Sequence, residues 1–152
     1  MRRVDKKIKD SRQINAIMKK ASCCRIALVD GIDPYVVPVN FAVSNKHLYF
    51  HSAAEGRKIG ILRKNNRVCF EIDLEEKIVK GDKPCNWGTQ YKSVIGFGKA
   101  FFIENEAGKK KALNVLMEKF AGGGSFVYSK DALSKVAVIA VKIEKITGKK
   151  SG

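Results

Sequence analysis

The chain is poor in the side chains from which a self-contained catalytic or metal centre is built. Its 152 residues include two histidines, one tryptophan, three prolines and four cysteines. The cysteines, Cys23, Cys24, Cys69 and Cys85, contain no C-x-x-C pair. That spacing excludes a zinc signature and a disulfide framework, and the thiols read as reduced and mostly buried. His47 and His51 cannot complete a metal site alone, so no metal is expected. There is no G-x-S-x-G elbow, no H-E-x-x-H, no Walker loop and no G-x-G-x-x-G opening a helix. No apolar run approaches the roughly 18 residues of a membrane span, so no membrane partner is expected. The opening Met1-Arg2-Arg3-Val4-Asp5-Lys6-Lys7 lacks the apolar core of a signal peptide, which predicts a cytoplasmic protein. With so few acids, bases and nucleophiles, enzymatic chemistry here would have to be carried by a cofactor.

Acidic side chains are also scarce: 15, against 30 basic ones, for a net charge of +15. Such a balance attracts anions, whether nucleic acid, acidic lipid or a phosphorylated small ligand. The first 20 residues hold eight basic and two acidic groups. A second basic group is Arg57, Lys58, Arg63, Lys64 and Arg67, and Lys142, Lys145, Lys149 and Lys150 follow near the end. Most of these lysines read as a solvated surface. The apolar fraction of 45% excludes intrinsic disorder, and the length fits a single domain spanning 1–152.

Hydrophobic periodicity predicts a helix over 5–20, with Ile8, Ile14, Ile17 and Met18 on one face. Strands are predicted at 24–29, 35–43 and 47–51, with turns at Asp30-Gly31 and Ser44-Asn45-Lys46. Pro38 removes a ladder donor, which marks an edge, a bulge or a place where a ligand meets the backbone. A short helix follows at 56–64 and a strand at 67–73. The charged, Gly- and Pro-containing stretch 74–90 reads as an excursion or mobile loop. A long strand is expected at 91–103, where Gly96 and Gly98 mark a bulge or close approach. A helix over 106–120, a break at Gly122-Gly123-Gly124, a helical turn at 131–133 and a strand at 136–143 complete the pattern. The class is therefore α+β: an antiparallel, barrel-like sheet of six or seven strands with flanking helices.

The best phosphate candidate is Ser52-Ala53-Ala54-Glu55-Gly56-Arg57-Lys58, where a strand ends and a helix begins. Free amides at a helix start bind anions, and two cations sit beside them. Positive charge there opposes the helix dipole, so the placement is costly unless an anion comes to it. The alternative is a basic first turn exposed to water. Glu75-Glu76 reads as a solvated charge pair rather than an acid–base couple.

Five segments taken in order resemble a known series. They are Tyr35-Val36-Val37-Pro38-Val39-Asn40-Phe41, Tyr49-Phe50-His51-Ser52-Ala53, Gly56-Arg57-Lys58, Val68-Cys69-Phe70-Glu71, and Tyr91-Lys92-Ser93-Val94-Ile95-Gly96-Phe97-Gly98-Lys99-Ala100. The chain is similar, from about Arg3 to Gly148, to the pyridoxamine 5′-phosphate oxidase-related flavoproteins, and within them to the 5-nitroimidazole-resistance (Nim) type. The resemblance implies a split β-barrel forming a homodimer that binds FMN between subunits. It implies that Arg57 and Lys58 grip the FMN phosphate with help from Ser52 and Ala53. It implies that Val37, Pro38, Val39 and Asn40 lie along the flavin ring, and that Ser93 reaches the flavin from the long strand. It implies that His51 lies near flavin and substrate as the candidate catalytic residue. Trp87 and Tyr91 become candidate walls of the substrate side, from the same or the partner subunit; plain packing is their other reading.

One departure from that family stands in the sequence. The vitamin-B6 oxidases carry C-terminal Arg and His motifs for the substrate phosphate, and Ile146-Thr147-Gly148-Lys149-Lys150-Ser151-Gly152 has neither. The function expected is an FMN-dependent oxidoreductase acting on a small acceptor such as a nitro-aromatic. Two alternatives stay open: a single-stranded nucleic-acid-binding barrel, and a flavin- or haem-binding protein without turnover. Against nucleic acid, Tyr49, Phe50, Phe70, Phe97, Phe101 and Phe102 sit on apolar strands, where core packing is expected.

Overall fold

The computed structural model describes residues 3–151, with the side chains of Glu75 and Glu76 outside the described set. Eight strands and four helices follow in the order β1 (Lys7–Ile8), α1 (Ser11–Lys20), β2 (Cys23–Asp30), β3 (Asp33–Asn40), β4 (Ala42–Ser44), β5 (His47–Ala53), α2 (Arg57–Lys64), β6 (Arg67–Val79), β7 (Gly88–Phe102), α3 (Glu106–Ala121), α4 (Lys130–Ser134) and β8 (Val136–Ser151). Every pairing is antiparallel. The order across the sheet is β3-β2-β6-β7-β8-β5-β4, with β1 on β8, so the ladder stays open between β3 and β4. The α+β class holds. The strand count exceeds the expected six or seven because β1 is short and because Phe41 divides the predicted 35–43 strand into β3 and β4.

Alternation decides which face each strand buries. Cys24, Ile26 and Leu28 of β2, Leu48 and Phe50 of β5, Val68, Phe70 and Ile72 of β6, and Val94 of β7 point inward. Ile14, Ile17 and Met18 of α1 and Ile59, Ile61 and Leu62 of α2 join that core. The first helix begins at Ser11 rather than at residue 5. Asp10 caps it, its carboxylate accepting the Arg12 N–H at 2.8 Å, while Lys7 and Ile8 pair with Lys149 and Gly148 of β8.

Of the stretch 74–90, expected as an excursion or mobile loop, only 80–87 lies outside the sheet: 74–79 extend β6 and 88–90 begin β7. β6 and β7 stay in register through Leu74↔Lys92, Ile78↔Thr89 and Val79↔Gly88, with a bulge between Glu75 and Lys77. The predicted Glu75-Glu76 charge pair lies outside the described side chains. A second bulge, between Phe97 and Gly98 against β8, falls where the glycines predicted one. A Cβ on Gly98 would run into the Lys142 carbonyl, and one on Gly96 into the Phe70 ring. The aromatic expectation holds only in part. Phe50 and Phe70 are fully buried, but Phe97 and Phe101 are 42% and 46% exposed on the outer face.

Candidate functional site

At the open side of the sheet, the end of β3 comes close to β5 and the start of α2. There Cys23, Pro38, Val39, Asn40, His51 and Lys58 line a cavity of about 370 Å³. Register explains the first four: Cys23 pairs with Asn40 and Arg25 with Pro38, so β2 and β3 present these residues side by side. His51 is an outward residue of β5, facing away from the core that takes Phe50 and Leu48. Pro38 can leave its ladder position without a donor because β3 is the last strand of the sheet.

Lys58 is the site's cation. It is half-buried, and its ammonium lies 5.9 Å from the centre of the Phe50 ring. Burial pushes its pKa below the ordinary lysine value, and among the described residues no carboxylate compensates it. A desolvated cation beside a cavity favours an anionic ligand. The first turn of α2 adds to this. Gly56 at its N-cap has φ +120 and supplies no side-chain cap, so the first amides of the helix remain available. These features fit a phosphate-bearing group.

Arg57 is directed elsewhere. Its Nε donates to Asp30 at 3.1 Å and its guanidinium lies 4.8 Å over the Tyr35 ring, at the β2–β3 hairpin. Val37 packs against the core, and Ser52 and Ala53 pair with Ala137 and Val136 of β8; none of the three lines the cavity.

A second cavity, of about 430 Å³, opens on the outer face of β6 and β7 and is lined by Glu71, Asp73, Thr89, Tyr91 and Ser93. Arg25 reaches across from β2, donating to Glu71 at 3.0 Å and, more closely, to Asp73. Burial first, and then Asp73, raise the pKa of Glu71. The Lys149 ammonium lies 5.5 Å from the Tyr91 ring centre. Trp87 is 52% exposed, with Lys80 5.9 Å from its ring, and lines neither cavity.

The structure thus joins Pro38, Val39, Asn40, His51 and Lys58 and sets Tyr91 and Ser93 apart from them. Sequence reasoning missed Thr89, in the stretch it read as a loop, and it missed Cys23, Glu71 and Asp73 of β2 and β6 as lining residues. Their signal was the outward phase of β2 and β6, legible only once Arg25↔Glu71 pairing fixes which side faces out. No group of three or more His, Cys, Asp or Glu suited to a metal ion occurs among the described residues. No helix among them is long and apolar enough to cross a membrane.

The pyridoxamine 5′-phosphate oxidase family model matches residues 10–150. Among solved structures, the chain is similar to a proposed 5-nitroimidazole antibiotic resistance protein from Bacteroides thetaiotaomicron. Identity is 36% and the TM-score 0.85, over 95% of this chain and 86% of that one. It also shares its fold with a flavocytochrome of Azotobacter vinelandii, at 20% identity and TM-score 0.85, over 100% of this chain and 72% of that one. A FAD- and haem-binding protein from Mycobacterium smegmatis aligns at 17% identity and TM-score 0.88, over 96% of this chain and 73% of that one. No curated protein matches the chain.

Proposed function

The chain belongs to the pyridoxamine 5′-phosphate oxidase family, and on that premise we propose that it is an FMN-dependent oxidoreductase, a homodimer whose small-molecule acceptor is a nitro-aromatic compound. The observation that carries the reading is the half-buried Lys58, uncompensated among the described residues, on a cavity that Pro38, Val39 and Asn40 also line. Lys58 and the first amides of α2 would hold the phosphate. The strand would support the ring, and His51 would stand at its edge as a hydrogen-bond or proton donor. A flavin bound there supplies reversible hydride and electron transfer; the protein orients it and tunes its potential. The name of the 36% identical neighbour supports a nitroimidazole as one acceptor.

Dimerisation is part of the proposal because a single chain divides the residues it needs. Ser93 and Tyr91 line one cavity and His51 and Lys58 another. A second copy that set its β7 face over the first cavity would bring them together. The exposed Ile95, Phe97 and Phe101 of that face would then be buried.

The test is the visible spectrum of the purified protein, before and after FMN is added, followed by gel filtration. Flavin bands eluting with a dimer are the expected result. A colourless protein that rejects FMN would overturn the proposal, and a haem band would replace the cofactor while keeping the fold.

A further inference from the structure

The outer face of the sheet carries a row of basic side chains that neither cavity uses. Strand register lines them up. Arg67 of β6 pairs with Lys99 of β7, Lys99 with Lys142 of β8, and Lys142 with His47 of β5. These four strands are consecutive in the sheet, so a single rung presents a basic side chain on every one of them. At a strand spacing of about 4.8 Å the row is roughly 14 Å long. Glu144 takes up Arg67 at 2.5 Å. Lys99 and Lys142 are exposed and directly opposite each other, and neither has a carboxylate partner among the described residues. Like charges in a cross-strand pair weaken a sheet, so the placement is costly unless an anion spans them.

Aromatic rings flank the same rung. Phe97 and Phe101 lie two positions before and after Lys99, about 7 Å to either side along β7. They are 42% and 46% exposed. Phe101 stands edge-on to His47 at 5.8 Å, and Lys145 pairs with Phe97.

We propose that this face binds single-stranded nucleic acid, with the phosphodiester backbone crossing the strands along Lys99 and Lys142 and bases stacking on Phe97 and Phe101. Cations that track a backbone beside rings that receive bases are what an unpaired strand requires. A duplex keeps its bases stacked and offers only its phosphates, and an acidic polypeptide has no base to lay on the rings. The net charge of +15 draws any polyanion to the protein, and the row with its rings fixes where the strand lies. The face is also the one set against a second copy in the proposed dimer, so strand and second copy exclude each other there. Lys58 and its cavity take no part.

The experiment uses the full chain and a fluorescent oligothymidylate of about 12 nucleotides, followed by anisotropy between about 50 and 200 mM salt. The wild type should bind, with affinity falling steeply as salt rises. Lys99→Ala combined with Lys142→Ala removes two phosphate contacts. It should flatten the log–log salt slope by about 1.4, at roughly 0.7 per contact on a single strand. Phe97→Ala should weaken binding about 5-fold or more at every salt concentration and leave the slope unchanged. Lys19→Ala combined with Lys111→Ala removes the same charge from exposed helical positions and should leave the slope unchanged. Thermal midpoints confirm that each variant is folded, and FMN titration of the wild type reads the flavin proposal separately. No binding at the lowest salt would overturn the assignment. So would equal flattening in the Lys19 and Lys111 pair, or binding indifferent to Phe97→Ala. Duplex DNA or polyglutamate bound as tightly as the single strand would also overturn it, because the row would then hold anions without regard to bases.

Discussion

Lys58 and Lys119 are both half-buried ammonium groups with no carboxylate beside them among the described residues, yet they serve different ends. Lys58 faces a cavity; Lys119 faces protein, donating to the Met18 carbonyl at 3.0 Å with its charge 3.6 Å above the Phe41 ring. It binds a carbonyl in the last turn of α1, the electronegative end of that helix. Burial lowers its pKa to about 8. Between that value and the ordinary 10.5, the unfolded chain holds a proton that the folded one has shed, so stability rises with pH there. Cys24, pushed up to about 12 by burial, acts oppositely above about pH 9, where the unfolded thiol ionises first. Thermal midpoints of the wild type should therefore gain on those of Lys119→Met between about pH 8 and 9; parallel curves would remove Lys119 from that role. For Lys58, replacement by methionine keeps the stem and deletes the charge. A charged hydrogen bond contributes about 1.5–3 kcal/mol, so FMN affinity should fall roughly 10- to 100-fold with the thermal midpoint at neutral pH little changed. Spectral titration would check this. Lys58 was legible in the sequence because a cation opposes the dipole at a helix start. Lys119 was not, since on a lysine-rich helix nothing local distinguishes the one that turns inward.

Elements whose buried face alternates cleanly were readable in the chain, and those carrying charge on both faces were not. Leu48, Phe50, Val68, Phe70 and Ile72 announce β5 and β6 by their phase. Beyond Leu74 the β6–β7 ladder pairs with no other strand until Tyr91 meets Ser151 of β8. That arm packs on no core, so its sequence carries no alternation, and Lys77, Lys80 and Lys83 made it resemble a loop. Charge in the first ten residues likewise hid the short β1 and the Asp10 cap. The bulge in β7 was legible because only a side-chain-free residue lets β8 approach so closely. At Gly98 an added methyl group meets the Lys142 backbone, which cannot yield as a flexible side chain would. Gly98→Ala should cost about 1–3 kcal/mol and lower the thermal midpoint by roughly 2–4 °C per kcal/mol. Unfolding at matched pH would test it. An unchanged midpoint would mean that the strands separate locally at little cost.

For the whole molecule, nothing along the chain sets the sheet order β3-β2-β6-β7-β8-β5-β4, because β6 returns to β2 and β8 inserts between β7 and β5. Those two crossovers separate residues that sequence proximity and resemblance had grouped around one flavin. His51 and Lys58 lie at the open edge, and Ser93 and Tyr91 lie on the outer face of β7. The same topology leaves Ile95, Phe97 and Phe101 exposed in a row of outward β7 positions, with Phe101 edge-on to His47 at 5.8 Å between ring centres. Basic residues flank them: Lys145 pairs with Phe97 and Lys142 with Lys99. An apolar strip rimmed by charge suits a protein interface, and it equally offers stacking surfaces to a single-stranded nucleic acid. The two occupants respond to salt in opposite ways. Burial of apolar surface holds or tightens as salt rises, whereas phosphate contacts are lost steeply. Phe97→Glu combined with Phe101→Glu should therefore give a folded monomer on gel filtration that has also lost FMN affinity, because Ser93 and Tyr91 no longer reach the partner's cavity. If the double variant stays dimeric and flavin-bound but loses a salt-sensitive affinity for oligonucleotide, the strip serves nucleic acid and the dimer must form through another face.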